Sequence, residues 1–240
     1  MEISSATSVG CIRSLNEDSY FVSEPDSKGT VFAIVADGMG GHNAGEVASE
    51  KAVKILKNDI QEKFGESPKN ILIGAVFEAN KKIYEMSKKG AELSGMGTTI
   101  TACVVEKNNV TAAQVGDSRL YLIRGNEINQ ITKDHSLVEM LIDSGAITKE
   151  EAKNHPQKNV ITRALGTDET VEADFYEFKT KKGDIILLCS DGLVNMLDDT
   201  EILSVIKSSE DFKSVANTLV ENAENAGGTD NITVVLIKYN

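Results

Sequence analysis

Thr98-Thr99-Ile100-Thr101-Ala102-Cys103-Val104-Val105-Glu106-Lys107-Asn108-Asn109-Val110-Thr111-Ala112-Ala113-Gln114-Val115 decides the fold class. Two apolar, β-branched runs are joined by Glu106-Lys107-Asn108-Asn109. That link is too short for a crossover, so the runs must pair as an antiparallel hairpin. Downstream, residues 119–123 and 127–131 flank Arg124-Gly125-Asn126 in the same way. Strand patterns also cover residues 3–9, 19–22, 30–36, 173–178, 184–189 and 232–237. Helical patterns stand in separate blocks. Ala48, Ala52, Ile55, Leu56 and Ile60 recur at helical spacing within residues 43–64, opened by Asn43 and Glu46 as a capping box. Ser67-Pro68 opens a second helix with Ile71, Leu72, Ala75, Val76, Ala79 and Ile83 on one side. Ser136 with Glu139, Thr148 with Glu151, and Asp198 with Glu201 mark further helix starts. Antiparallel strands with segregated helices predict an α+β layered sandwich, not a doubly wound sheet.

Outward from the hairpin, Val115 runs through Gly116 into Asp117. Comparable acidic clusters stand at Asn16-Glu17-Asp18, Asp37-Gly38, Asp191-Gly192 and Thr229-Asp230-Asn231, most of them at the mouth of an apolar strand. Any one Asp-Gly reads equally well as a turn. Together, converging carboxylates would repel one another unless cations sat between them, and oxygen-rich sites suit Mg²⁺, Mn²⁺ or Ca²⁺. Arg13 lies four residues before Glu17. Its planar fork suits a phosphate oxygen pair, and a surface ion pair with Glu17 or Asp18 is the plainer reading. Two hard cations bridged by one carboxylate lower the pKa of a shared water to about 7, which suffices for in-line attack on a phosphoryl group without a protein nucleophile. Gly38-Met39-Gly40-Gly41-His42-Asn43-Ala44-Gly45 lacks the Gly-Lys-Ser/Thr end of a P-loop and the third glycine of a dinucleotide fingerprint. Its glycines instead let backbone approach a ligand, with the Gly38 carbonyl within reach of a metal. His42 could protonate a leaving group. Nothing in their local sequence singles out His135 or His155.

The chain has 240 residues, is 40% apolar and has only 3 prolines, which fits one domain over residues 1–240 with no linker. The segment 135–165, polar and punctuated by Gly145 and Pro156, reads as a flap. Formal net charge is −12, against nucleic acid or an anionic membrane as partner. No apolar run approaches a membrane span, and the first residues carry no signal-peptide pattern. Cys11, Cys103 and Cys189 form no Cys-x-x-Cys pair, and a reducing cytoplasm is the expected compartment.

Six motifs occur in order: Arg13-x-x-Asn16-Glu17-Asp18, Asp37-Gly38-Met39-Gly40-Gly41-His42, Gly95-Met96-Gly97-Thr98-Thr99, Gly116-Asp117-Ser118-Arg119, Ser190-Asp191-Gly192-Leu193 and Gly228-Thr229-Asp230-Asn231. In this the chain resembles the metal-dependent type 2C Ser/Thr protein phosphatases (PPM), in their compact bacterial form, over essentially its whole length. The resemblance implies a four-layer sandwich, two antiparallel sheets flanked by pairs of helices. It implies two Mn²⁺ or Mg²⁺ ions in the cleft between the sheets. Asp37 would bridge them, Asp191 and Asp230 would complete one, and Glu17 with the Gly38 carbonyl the other. Asp18 would hold metal-bound water, Arg13 would clamp the substrate phosphate, and Asp117 with Asp191 would bind a third ion. His42 stands three residues beyond the place where the eukaryotic branch has its proposed general acid, which is Met39 here. The implied activity is hydrolysis of phosphoserine and phosphothreonine on proteins by a monomer opposing a Ser/Thr kinase.

Overall fold

The computed structural model of the chain describes residues 1–40, 44–62 and 66–240. Among these residues the strands are β1 (Glu2–Ser8), β2 (Asp18–Val22), β3 (Val31–Met39), β4 (Gly97–Thr98), β5 (Ile100–Glu106), β6 (Asn109–Val115), β7 (Arg119–Arg124), β8 (Glu127–Gln130), β9 (Asp174–Lys179), β10 (Ile185–Cys189) and β11 (Ile232–Lys238). The α-helices are α1 (Ala44–Glu62), α2 (Pro68–Ser87), α3 (Leu137–Asp143), α4 (Lys149–Lys153), α5 (Asp191–Val194), α6 (Asp199–Ser208) and α7 (Val215–Asn225). One sheet runs β1-β11-β10-β7-β8, and the other runs β2-β3-β5-β6-β9 with β4 paired to the end of β3. All these pairings are antiparallel.

Three apolar layers hold the molecule together. Val31, Ala33, Val35, Cys103 and Ala112 of one sheet meet Leu120, Ile186, Leu188, Val235 and Ile237 of the other. On the outer face of the β3 sheet, Ile34, Ala102 and Ala113 pack under Ala48, Ala52 and Leu56 of α1 and Leu72, Ala75 and Ala79 of α2. On the outer face of the β10 sheet, Leu187, Val234 and Leu236 pack under Ile202 of α6 and Ala216 and Leu219 of α7. The order is helices, sheet, sheet, helices. A strand covered on both faces reads as an unbroken apolar run, which is why β3, β5, β6, β10 and β11 look so uniform in sequence. Each fully buried Val, Leu or Ile contributes on the order of 1.5–3 kcal/mol, and here the layers draw them from all along the chain.

Local chemistry sets the helix starts. Ser67 Oγ accepts from Asn70 N at 3.3 Å with Pro68 behind it. Thr148 and Glu151, and Asp198 and Glu201, form reciprocal capping boxes. Ser136 Oγ accepts from Glu139 N. The Asn43 cap lies outside the described residues. Two sequence expectations shift. β3 does not stop at Ala36 but carries Asp37 and Gly38 inside the strand, because Gly38 pairs with Thr98 and Met39 with Gly97. Asp191-Gly192 opens α5 and is not a simple turn. The 135–165 segment is ordered by α3 and α4, and its two ends are tied together. Leu137 N donates to Val160 O at 2.8 Å, Thr162 N to His135 O at 2.8 Å, and Ser136 bridges Ile161.

Candidate metal centre

Asp18 and Asp37 are direct partners across the β2–β3 pair, so the strand register itself sets two carboxylates side by side. β10 delivers Asp191 and the start of β11 delivers Asp230, and these strands are neighbours in the other sheet. Glu17 stands immediately before β2, and Asp117 follows β6 through Gly116. The predicted residues therefore gather at one end of the sandwich, where the two sheets face each other. His42 lies outside the described residues.

A frame of uncharged hydrogen-bonding groups fixes these acids. Ser190 Oγ donates to Asp18 Oδ2 at 2.7 Å and accepts from Thr233 N at 2.9 Å. Asn195 Nδ2 donates to Asp191 Oδ2 at 3.0 Å. Thr99 Oγ1 accepts from Asp37 N at 2.9 Å and meets Ser118 Oγ at 2.8 Å. Thr101 Oγ1 and Gln114 carry this buried chain to the carbonyls of Ser118 and Gly116. Asn231 Oδ1 accepts from Glu17 N at 2.7 Å, and its Nδ2 donates to the Val9 and Leu15 carbonyls. Sequence reasoning did not assign Thr99, Thr101, Gln114, Ser118, Ser190 or Asn231 a role. Four of them stand inside the quoted motifs, which was the available signal. Gln114 and Thr101 carried none, being polar residues in apolar strands.

Two of the glycines that leave space beside the acids are Gly45 and Gly192. A Cβ on Gly45 would collide with Glu17 Oε1, and one on Gly192 with the Asn231 carbonyl. The backbone N–H of Gly45, at the start of α1, donates to the Glu17 carboxylate. That contact places a negative group where a helix dipole favours it.

The electrostatics are those of a cluster of buried like charges. Burial, then repulsion from Asp18, Asp191, Asp117 and Asp230, raises Asp37 well above the ordinary carboxylate range. Burial pushes Asp18 up to about 7 and Asp117 up to about 8. It also raises Asp191, with Asp230 adding to the effect, and Glu17. Asp18 Oδ1 and Asp191 Oδ1 are buried with no hydrogen-bond partner. An orphaned carboxylate oxygen among other carboxylates is costly unless a cation meets it. Among the described residues no three His, Cys, Asp or Glu side chains are drawn tightly enough together to hold an ion as they stand. The donor set, all oxygen with two free buried atoms, suits a hard divalent cation.

Arg13 is half-exposed. It donates through Nη2 to Asp230 Oδ2 at 2.8 Å, while Nη1 lies 4.0 Å from Glu17 Oε2. It faces the acidic cluster and makes no contact with Asp18. Arg119 of the Gly116-Asp117-Ser118-Arg119 motif lends its charge to Asp117 and Asp191, but its hydrogen bonds go elsewhere. Its Nε and Nη2 hold Asp134, and Nη1 reaches Tyr121 Oη at 3.0 Å. His135, which its sequence neighbourhood did not single out, is buried. Its Nδ1 accepts from Gly116 N at 3.1 Å and its Nε2 lies 3.2 Å from Asp174 Oδ2. Asp174 is remote in sequence, so no local pattern could reveal this pair.

The sequence model of the protein phosphatase 2C family matches residues 13–236. The serine/threonine phosphatase stp of Listeria welshimeri is 43% identical over 98% of this chain and 94% of its own. The serine/threonine phosphatase of S. agalactiae superposes with a TM-score of 0.93 at 39% identity, covering 100% of this chain and 99% of that one. The catalytic domain of the phosphatase PstP, solved in complex with two manganese ions, gives a TM-score of 0.87 at 37% identity over 98% of this chain and 96% of that one.

Proposed function

The chain belongs to the protein phosphatase 2C family and is a serine/threonine protein phosphatase, and on that premise we propose that it works through a divalent metal centre built from its five acidic clusters. The observation that carries this reading is the pair of buried, partnerless oxygens, Asp18 Oδ1 and Asp191 Oδ1, amid mutually repelling carboxylates. Asp37 would lie between two ions, Asp191 and Asp230 would hold one, and Glu17 with the Gly38 carbonyl the other. Asp117 with Asp191 would hold a third. When bound, Mn²⁺ or Mg²⁺ supplies Lewis acidity and a water of lowered pKa. The manganese in PstP supports this choice of ion.

The chain's own residues do the rest. Asp18, its Oδ2 pinned by Ser190, turns Oδ1 to accept a hydrogen bond from the attacking water. Arg13 exchanges its single Nη2 bond to Asp230 for the phosphate oxygens of the substrate, which can take both arms of its fork. His42 is the nearest candidate in sequence to protonate the departing seryl or threonyl oxygen. The substrates are phosphoproteins, and the opposing enzyme is a Ser/Thr kinase. We place the enzyme in the cytoplasm as a monomer; its three free cysteines suit a reducing compartment. Among the described residues no helix is long and apolar enough to cross a membrane.

The deciding experiment is phosphate release from a phosphothreonine peptide by EDTA-stripped protein with and without Mn²⁺, alongside Mn²⁺ titration by calorimetry. Mn²⁺-dependent release, abolished by Asp37→Asn with the fold intact, is expected. Full activity of the stripped protein, or of Asp37→Asn, would overturn the metal reading.

A further inference from the structure

A cleft of about 620 Å³ opens beside the carboxylate cluster, with Asp117 and Asp191 lining its inner end. That is within the range, roughly 300–1,000 Å³, of sites that take a ligand of several rigid groups. One wall is the α3–α4 segment, and the other is the stretch from α5 to the start of α6. The α3–α4 wall carries three ammonium groups, Lys149, Lys153 and Lys158, all exposed. Lys149 and Lys153 are four residues apart on α4 and so share a face. Among the described residues none of the three side chains makes an ion pair or hydrogen bond. The remaining cation on the cleft, Arg119, is fully used by Asp134 and Tyr121. On the opposite wall Asp198 and Glu201 are already engaged in capping α6. With Glu139 paired to Lys133 at 3.9 Å, the unspent charge beyond the carboxylate cluster is three lysines on one wall against Asp199 on the other, in a chain whose net charge is −12.

We propose that this lysine wall is a specificity-determining subsite that binds a second anionic side chain, carboxylate or phosphoryl, in the peptide flanking the target phosphoserine or phosphothreonine. This rests on the phosphatase reading and adds to it which phosphopeptides are preferred. With the target phosphoryl group held at the acidic cluster, an extended peptide leaving along the cleft advances about 3.3 Å per residue, so a residue a few places away passes the lysines. The lysines are exposed and stay hydrated, so their attraction is screened by salt and strongly salt-dependent.

The test uses phosphothreonine peptides with neutral flanks, a series with Asp placed at each flanking position in turn, and one with a second phosphothreonine at the best position. The intact Mn²⁺-loaded protein and its Lys149→Gln/Lys153→Gln/Lys158→Gln variant are compared, with p-nitrophenyl phosphate as a substrate too small to reach the wall. The wild type should favour at least one Asp peptide about five- to tenfold in kcat/KM, chiefly through KM, as expected for several exposed charge pairs. A larger gain from the second phosphothreonine assigns the subsite to phosphoryl groups, and an equal gain assigns it to carboxylates. The preference should vanish in high salt and in the triple variant, with p-nitrophenyl phosphate turnover unchanged. Turnover of all substrates without flank preference, or a preference that survives the triple variant, overturns the subsite and leaves the phosphatase reading standing. No turnover of any substrate would sink that reading and the subsite together.

Discussion

Arg13 shows how far a single residue can be read from its neighbours. Its sequence position suggested either a phosphate clamp or an ion pair with Glu17 or Asp18, and the structure has the ion pair with Glu17 at 4.0 Å beside a closer bond to Asp230, far along the chain. Spacing located Arg13 beside Glu17 but could not reveal Asp230, more than two hundred residues away. Losing a charge-assisted fork is worth about 1.5–3 kcal/mol, so Arg13→Lys should lower kcat/KM roughly 10- to 150-fold, and a change under twofold would remove Arg13 from substrate binding. Gly45 is a sharper case, invisible in sequence except as one more glycine in a glycine-rich stretch. Because its Cβ would meet the Glu17 carboxylate and the Gly38 backbone, Gly45→Ala should weaken Mn²⁺ binding by calorimetry at least about tenfold and cost the fold about 1–3 kcal/mol. Unchanged Mn²⁺ affinity would mean that neither Glu17 nor the Gly38 carbonyl is a ligand.

At the scale of elements, the hairpins were the most legible part. The β5–β6 link closes on Glu106 opposite Asn109, which leaves a turn of Lys107 and Asn108 with Lys107 at φ 42°. A left-handed lysine costs about 1–2 kcal/mol relative to glycine, so Lys107→Gly should raise Tm by a few degrees in a chain of this length; a lower Tm would mean the lysine side chain contributes a contact that outweighs the strain. Capping signatures located α4 and α6, because caps are local chemistry. The extension of β3 through Asp37 was not legible. It depends on β4, a two-residue strand supplied by the distant Gly97-Thr98. Nor was the Thr99–Ser118 link, which exists only once two strands are stacked in register.

The whole molecule couples packing to charge. Leu188 lies in the layer between the sheets, two residues before Ser190 and three before Asp191. Leu188→Ala should cost about 2–5 kcal/mol in urea unfolding, and a loss under 1 kcal/mol would mean the sheets close up around the gap. Charge acts in the other direction. Asp18 and Asp117, at about 7 and about 8 against an ordinary 3.8, hold protons in the folded chain that the unfolded chain has released. Their contribution to stability is therefore complete below about pH 4 and drains away as pH rises through both values. His135 acts oppositely, since burial lowers its pKa below 6.5 and its contribution is lost only as pH falls under that value. Between about pH 6.5 and about pH 9 the carboxylates dominate, so Tm of EDTA-treated protein should fall by a few degrees across that window. Mn²⁺, which takes only ionised ligands, should raise Tm more at the upper pH than at the lower. A metal-free Tm that rises across the window would contradict the buried-charge account of the cluster.

The segment bearing the lysine wall leaves and rejoins the body almost at one point, where His135 O meets Thr162 N and Leu137 N meets Val160 O. Such a segment is a cassette: its interior can be rewritten without asking any strand to re-register, because both ends stay fastened to the same place. Transplanting residues 138–159 from a relative should transfer that relative's peptide taste along with them and leave p-nitrophenyl phosphate turnover where it was. On that reading the choice of substrate would be portable, while the chemistry would stay with the strands.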